Sequence, residues 1–563
     1  MEAQQSRFAI KCLPSLTDFA FLMPIAFLFG RMDGAQTLLS DCDTGWHIRT
    51  GDWIVANHLI PTHDVFSFSK PNGVWFAWEW LSDLLFAGLN NLGGLRAVVL
   101  FSLLLLCITF AVLFRLVLRN CNAVVGIGIT MLAAASSSVH WLARPHLFTM
   151  LFLVLFFFVM ERVREGKTRV AGIPYFVLLP LGTILWTNLH GGFIAGILVV
   201  GTYGVGELLK FVFLADRELR RSAALQARRY FGTALACLVA SLVNPYTYRL
   251  HVHLFEYLRD PYASQHIVEF FSLSFHHPAA IFFEALLLLG AVSVFWYASQ
   301  GRFTESLLLL VWSHAALLAA RNIPLFAIIS APLVAAAVQA WLTRLPHLEV
   351  AEWLRNGGAH FNEIVAKTCA TDALPRWHVL SIAGVAVVAA LIFAPAPPKR
   401  FRAEYDPKNY PAAAIEILRR DPSARVFTND EWGDYLIWRL YPAGRVFVDG
   451  RSDFYGAEFE NKYIDVLNVK DDWEKILGRF GVDTILLPPS APLSGALKEN
   501  SRWHVVYDDG VALIFRSTRK TEGTTPSVAV LGGGAGRDRE VTKTTAGDQA
   551  ITENIQKFRS ETQ

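Results

Sequence analysis

The chain has 563 residues; 53% belong to the set Ala, Val, Ile, Leu, Met, Phe, Trp, Tyr and Cys, and only 18% are charged. Counted with glycine and without tyrosine, the apolar share is about 57%, against roughly 45–50% in soluble domains, and the charged share falls short of their roughly 25%. The apolar residues come in runs of about twenty, so the chain reads as a polytopic membrane protein, and collagen-like, disordered and disulfide-scaffold classes are excluded.

A net charge of +3 from 51 basic and 48 acidic residues is too balanced for the concentrated basic face that nucleic acid requires, so no nucleic-acid partner is expected. The six cysteines (Cys12, Cys42, Cys107, Cys121, Cys237, Cys369) form no CxxC pair and spell out neither a zinc site nor a redox motif.

Along the chain, TDFAFLMPIAFLFG follows the N-terminal MEAQQSRFAIK without a small-residue cleavage site, so it reads as a first span rather than a removed signal peptide. A loop from about 32 to 95 comes next, and within it EWLSDLLFAGLNN (79–91) is amphipathic, suited to a helix lying at the interface. Charge-poor runs near 96–114, 122–138, 147–161, 172–188, 191–213, 230–243, 279–298, 304–320, 323–342 and 377–395 bring the expected spans to about eleven.

Basic residues are retained on the cytoplasmic side in short loops. The strongest basic loops, ERVREGKTR (161–169) and DRELRRSAALQARR (216–229), lie two spans apart, so both face the cytoplasm. The same counting puts the N-terminus, Arg344, Lys367 and Arg376 inside. The 32–95 loop, ARPH (143–146), NLHGG (188–192), the stretch from about 244 to 278, Arg321 and everything after about 396 then collect at the outer face.

PAPPKR (395–400) ends the last span, and 396–518 reads as a soluble α/β domain: a helix-like PAAAIEILRR precedes the strand-like runs RVFT, RVFV, DTILLP, HVVYDD and ALIFRS. From 519 to 563 the sequence is polar and expected to be disordered, and Gly532-Gly533-Gly534 there does not complete a GxGxxG motif.

The most informative stretch is DCDTGWHIRTGDWIVANHLIPTHDVFSF (41–68), directly after the first span. Asp41 and Asp43 can offer two carboxylates to a divalent cation, Mg or Mn, or one of them can act as a base; Asp43 can equally cap a helix. Trp46, His47, Trp78 and Glu79 crowd the same loop, where aromatic rings suit both the membrane interface and the face of a sugar.

Arg144 and Arg321, at outer span ends, present the planar fork that matches phosphate oxygens, and snorkelling to headgroups is the bland alternative. His146 shares the ARPH loop with Arg144, and His190, beside Gly191 and Gly192, can hydrogen-bond a phosphate or a sugar hydroxyl. His251-Val252-His253 has an HxH spacing with no third ligand specified. Asn429–Tyr435 and Asp449–Asp453 follow strand-like runs, where α/β folds place ligand-binding loops.

A cytoplasmic N-terminus, about eleven spans, an acidic pair in the first outer loop and an extracytoplasmic C-terminal domain together resemble the GT-C superfamily of membrane glycosyltransferases. That superfamily includes the protein O-mannosyltransferases, the aminoarabinose transferases and the RgtA/B/C/D-like bacterial proteins. The resemblance covers residues 1 to about 395 and implies an inverting transfer of a sugar from a polyprenyl-phosphate donor to a lipid, glycan or protein acceptor at the periplasmic face of a bacterial inner membrane. Asp41 or Asp43 would be the base, Arg144, Arg321, His190 and His146 would meet the donor phosphate, and Trp46, His47, Trp78 and Glu79 the substrate. The next outer loop reads Ala143-Arg144-Pro145-His146 where several family members carry an acid, which puts metal dependence in question. A lipid transporter or flippase, and a non-catalytic glycan-binding membrane protein, are the alternatives. Transport leaves ionisable groups at mid-membrane depth, where this sequence has few.

Overall fold

The computed structural model describes residues 11–347, 376–470 and 472–518, with scattered positions between 351 and 363. Residues 1–10, Lys367, Cys369 and the tail from 519 lie outside the described residues. Residues up to 519 belong to one compact unit.

Leu16–Arg31 (α1) opens with a capping box in which Ser15 and Asp18 satisfy each other's backbone N–H groups. Asp43–Asn57 (α2) and Trp80–Gly93 (α3) follow, and then the apolar helices Leu95–Val117 (α4), Ala123–Ser137 (α5), His146–Arg164 (α6), Tyr175–Leu189 (α7) and Phe193–Phe213 (α8). Arg217–Ala240 (α9) and Tyr248–Arg259 (α10) precede Ala280–Ser299 (α11), Phe303–Leu318 (α12), Ile323–Arg344 (α13) and Val379–Ile392 (α14).

Among the described residues, six helical stretches are long and apolar enough to cross a membrane: α4, α5 extended to His140, α6, α8, α11, and α13 with its flanking turns. The protein is thus a multi-pass membrane protein, and six of the eleven expected spans meet the length criterion among the described residues. Helices α7, α12 and α14 are apolar but have 15, 16 and 14 residues. At about 1.5 Å per residue they fall short of the roughly 30 Å hydrocarbon core. Small residues let the long helices approach: a Cβ at Gly204 would meet the Phe231 ring at 2.8 Å, which seats α8 on α9. Asp18, wholly buried, accepts from Ser381 Oγ at 2.6 Å and so ties α1 to α14.

After α14 the chain forms a four-stranded sheet from Val426–Phe427 (β1), Thr484–Leu487 (β2), Trp503–Asp508 (β3) and Leu513–Ser517 (β4), in the order β1-β2-β4-β3. β1 pairs parallel with β2; the other pairings are antiparallel. Asp430–Leu440 (α15) and Ala457–Leu467 (α16) flank it. RVFV (445–448), expected as a strand, makes only isolated bridges, because the first long loop claims its backbone. Phe68 N–H donates to the Val446 carbonyl at 2.9 Å, and Val446 N–H donates to that of Phe66 at 3.1 Å.

That loop and the sheet are joined by Arg451, which is 2% exposed. Its Nη2 reaches Asp64 Oδ1 and Asp449 Oδ2, and its Nε reaches Asp449 Oδ1, all at 2.7 Å. Its guanidinium lies 4.4 Å from the Trp75 ring centroid and 5.0 Å from those of Phe66 and Phe454. A buried ion pair contributes little against an apolar equivalent, but removing one partner strands the others. Arg451→Ala should therefore destabilise the protein by about 3–5 kcal/mol, read as a lowered melting temperature in detergent. A melting temperature within error of wild type would show that the clamp does not hold the loop.

Candidate active site

The site begins where α2 begins. Asp43 is the first helical residue, with Cys42 rather than Asp43 as the cap, and its backbone N–H donates to Asp41 Oδ1 at 2.7 Å. A carboxylate in a helix's first turn is favoured by the backbone dipoles. Arg144 is brought beside it by two links across the chain: Ala143 N–H donates to the Leu38 carbonyl at 2.7 Å, and Thr44 Oγ1 donates to the Ala143 carbonyl at 2.9 Å.

From that position Arg144 Nη1 lies 3.0 Å from Asp41 Oδ2 and 3.5 Å from Glu269 Oε2, while Nη2 lies 2.5 Å from Asp43 Oδ2. Glu269 sits in the short turn Val268–Phe270 and also pairs with Arg321 Nη1 at 3.1 Å; the Arg321 guanidinium stacks 4.5 Å above the Phe270 ring. Burial alone would raise Glu269, but Arg321 and Arg144 outweigh it and hold the carboxyl down to about 2.

A further carboxyl, Asp434 on α15, hydrogen-bonds the Asp43 side chain. Gly450 makes this approach possible: its N–H donates to Asp434 Oδ1 at 3.0 Å, and a Cβ there would sit 2.7 Å from both Asp43 Oδ1 and Asp434 Oδ2. Burial raises Asp43, with Arg144 opposing and Asp41 and Glu269 adding to the rise. Two touching carboxylates cannot both be ionised, and Arg144 contacts Asp43, so the shared proton rests on Asp434, which burial and Asp43 raise.

On the opposite wall, His47 Nδ1 lies 2.6 Å from Asp83 Oδ1, and His47 Nε2 lies 3.5 Å from Glu79 Oε2. The other Glu79 oxygen, Oε1, lies 3.3 Å from His190 Nε2. Gly192 N–H donates to His190 Nδ1 at 2.9 Å, which leaves the ring hydrogen of neutral His190 on Nε2, facing Glu79. Burial pushes Glu79 up to about 8, with Arg144 opposing. Near neutral pH it is a neutral carboxylic acid between two imidazoles.

These groups line one cavity of about 610 Å³. Of the residues singled out from sequence, Asp43, Trp46, His47, Trp78, Glu79, Arg144, His146, His190 and Arg321 all border it. Asp41 stands behind Arg144 instead. Leu198, Leu254, Leu258, Leu318 and Leu325 form an apolar part of the wall, and Leu198, Leu258 and Leu318 are more than half exposed on the protein surface. The indole N–H groups of Trp46 and Trp312 border the cavity, are buried, and have no hydrogen-bond partner among the described residues.

The HxH histidines serve other ends. His251 bonds Ser241 Oγ at 2.8 Å, whereas His253 pairs with Asp453 at 2.9 Å and stacks on Phe76. Among the described residues, no group of three or more His, Cys, Asp or Glu stands in metal-binding geometry. The oxygens of Asp41 and Asp43 that a cation would use are held by Arg144, so the pair does not fit a metal in this arrangement. Glu269 and Asp434 were not foreseen as site residues. Asp434 lies in the NDEWGDY turn that the sequence had marked, but Glu269, in VEFFSL, carries no local motif.

The Glu79 arrangement gives a signed pH dependence. A carboxyl whose folded pKa exceeds its unfolded value contributes stability that is full below about 4.5 and lost as pH rises through about 8. Glutamine keeps an acceptor for His190 and a donor for His47 without titrating. Glu79→Gln should therefore gain stability on wild type by up to a few kcal/mol between pH 4.5 and 8, checked by chemical denaturation across that range. A constant difference between the two proteins would contradict the assignment.

Compared with protein-family models and with curated proteins, the sequence matches none. Among solved structures it is similar to the archaeal oligosaccharyltransferase AglB from Archaeoglobus fulgidus in complex with an inhibitory peptide and a dolichol-phosphate. The identity is 11%, the match covers 89% of this chain and 74% of that one, and the TM-score is 0.53. The apo form of the Archaeoglobus fulgidus oligosaccharyltransferase matches at 11% identity over 84% of this chain and 69% of that one, with a TM-score of 0.51. At such identity the likeness is one of fold: the chain shares the fold of these oligosaccharyltransferases, in agreement with the resemblance read from the sequence.

Proposed function

We propose that this protein is a membrane glycosyltransferase that moves a sugar from a polyprenyl-phosphate-linked donor to an acceptor hydroxyl or amide at the membrane face where the cavity lies, the periplasmic face of a bacterial inner membrane. The observation that carries the proposal is the composition of one cavity: a carboxylate at a helix start, two arginines beside it and an apolar wall whose leucines reach the protein surface. A donor with a phosphate head, a sugar and an isoprenoid tail needs these three environments in that order.

In this reading Asp43 is the base, because it borders the cavity while Asp41 is engaged behind Arg144. The acceptor's proton passes to Asp43, the acceptor atom bonds to the anomeric carbon from the face opposite the phosphate, and the carbon–oxygen bond to phosphate breaks with inversion. The electron pair of that bond leaves on the oxygen of the lipid phosphate, whose charge Arg321, Arg144 and His190 meet. Asp434, holding the pair's proton against Asp43, fixes the orientation of the carboxylate. Trp46 and Trp78 supply faces and an indole donor for the sugar, and the soluble C-terminal part lends Asp434 and Gly450 to the site.

Transfer of radiolabelled sugar from a panel of polyprenyl-phosphate donors tests the proposal in purified protein. Asp43→Asn should lower the rate by about 10²-fold or more, and Asp41→Asn by less, because it loosens Arg144 without removing the base. Undiminished transfer by folded Asp43→Asn would remove Asp43 from the role, and transfer no greater than in membranes lacking the protein would contradict the reading as a whole.

A further inference from the structure

The sequence offers Asp41 and Asp43 as ligands to a divalent cation, and the structure adds a third carboxylate, Glu269, from a distant loop. Three carboxylates drawn from separate parts of a chain to one point are a common design for holding Mg²⁺ or Mn²⁺. Here the point on which they converge holds the guanidinium of Arg144. We infer that Arg144 occupies the place of a divalent cation, so that the resident positive charge of this site is covalent and the protein works without a metal.

The geometry is specific. One Asp41 oxygen, one Asp43 oxygen and one Glu269 oxygen lie 2.5 to 3.5 Å from the two terminal nitrogens of Arg144. A small divalent cation must come within about 2.0–2.2 Å of its carboxylate oxygens. It would have to lie among these same oxygens, in the space the terminal nitrogens fill, and against a like charge. The backbone around Arg144 is anchored on both sides, by the bonds of Ala143 to Leu38 and Thr44 and by the start of α6 just beyond Pro145, and the guanidinium itself is held by the three carboxylates. Glu269 is shared with Arg321, so the second arginine completes the neutralisation from the far side. A planar guanidinium with five donors can bind three carboxylates along its edges as a metal would, but it cannot be chelated or exchanged.

The catalytic consequence, a transfer reaction indifferent to chelators, rests on the function proposed above; the occupancy of the site does not, and it is measured without any sugar donor. Chelator-washed full-length protein in detergent is titrated with Mn²⁺, and free Mn²⁺ is followed by its electron paramagnetic resonance signal. The wild type is expected to leave the signal undiminished. Arg144→Ala, which leaves Asp41 and Asp43 without their cation and frees one Glu269 oxygen, is expected to take up one Mn²⁺ per chain, and Arg144→Ala combined with Glu269→Gln to bind at least about tenfold more weakly. If Arg144→Ala does not fold, Arg144→Gln removes the charge while keeping a hydrogen-bonding side chain and carries the same expectation. Arg144→Lys, which retains a cation, should take up none. Uptake of one Mn²⁺ per chain by the wild type, or no uptake by a folded Arg144→Ala or Arg144→Gln protein, would overturn the inference.

Discussion

Three acidic side chains from two distant stretches of the chain, Asp41 and Asp43 from one and Glu269 from the other, are brought together because Arg144 lies among them. Without it, Asp41, Asp43 and Glu269 would repel one another in a poorly solvated pocket; with it, each has a partner within 3.5 Å. The remaining order of the site follows from that neutralisation. Arg144 biases Asp43 towards its ionised form, which places the shared proton on Asp434, and Glu269 in turn fixes Arg321 at the far rim. A charge cluster this dense is tolerable only where every member is paired.

The C-terminal part belongs to the same device. Its sheet is remote in sequence from the first loop, yet Arg451 binds it to Asp64, and backbone bonds join Val446 to Phe66 and Phe68. The close seating of α15 on α2 needs two glycines: a Cβ at Gly45 would be 2.7 Å from Trp438 Cβ, and one at Gly450 would strike Asp43 and Asp434. The C-terminal part, through Gly450, Arg451 and Asp453, is therefore one wall of the cavity.

Much of this was legible because the governing patterns are local. Long apolar runs, basic loops and an acidic pair after the first span located nearly every wall of the cavity, and nine of the ten residues singled out border it. The span count is less legible, since α7, α12 and α14 are as apolar as the six longer helices but shorter, and hydropathy reads length poorly at helix ends. Glu269 was invisible for another reason: its importance comes from a three-dimensional encounter with Arg144 and Arg321, and no spacing rule connects residues 144, 269 and 321. The proton shared by Asp43 and Asp434 was hidden likewise, although the NDEWGDY turn itself was noticed.

The central claim is that one cavity receives a lipid phosphate at its arginines, with the isoprenoid tail leaving along the leucine-lined wall. A photoreactive polyprenyl phosphate, cross-linked to the purified protein and mapped by mass spectrometry, tests it most directly. The account predicts labelling of peptides around Leu198, Leu254–Leu258 and Leu318–Leu325, suppressed by unlabelled polyprenyl phosphate and weakened in Arg321→Ala. Labelling confined to the open groove between Trp80, Leu185 and Pro245, or spread evenly over the outer helix faces, would contradict it.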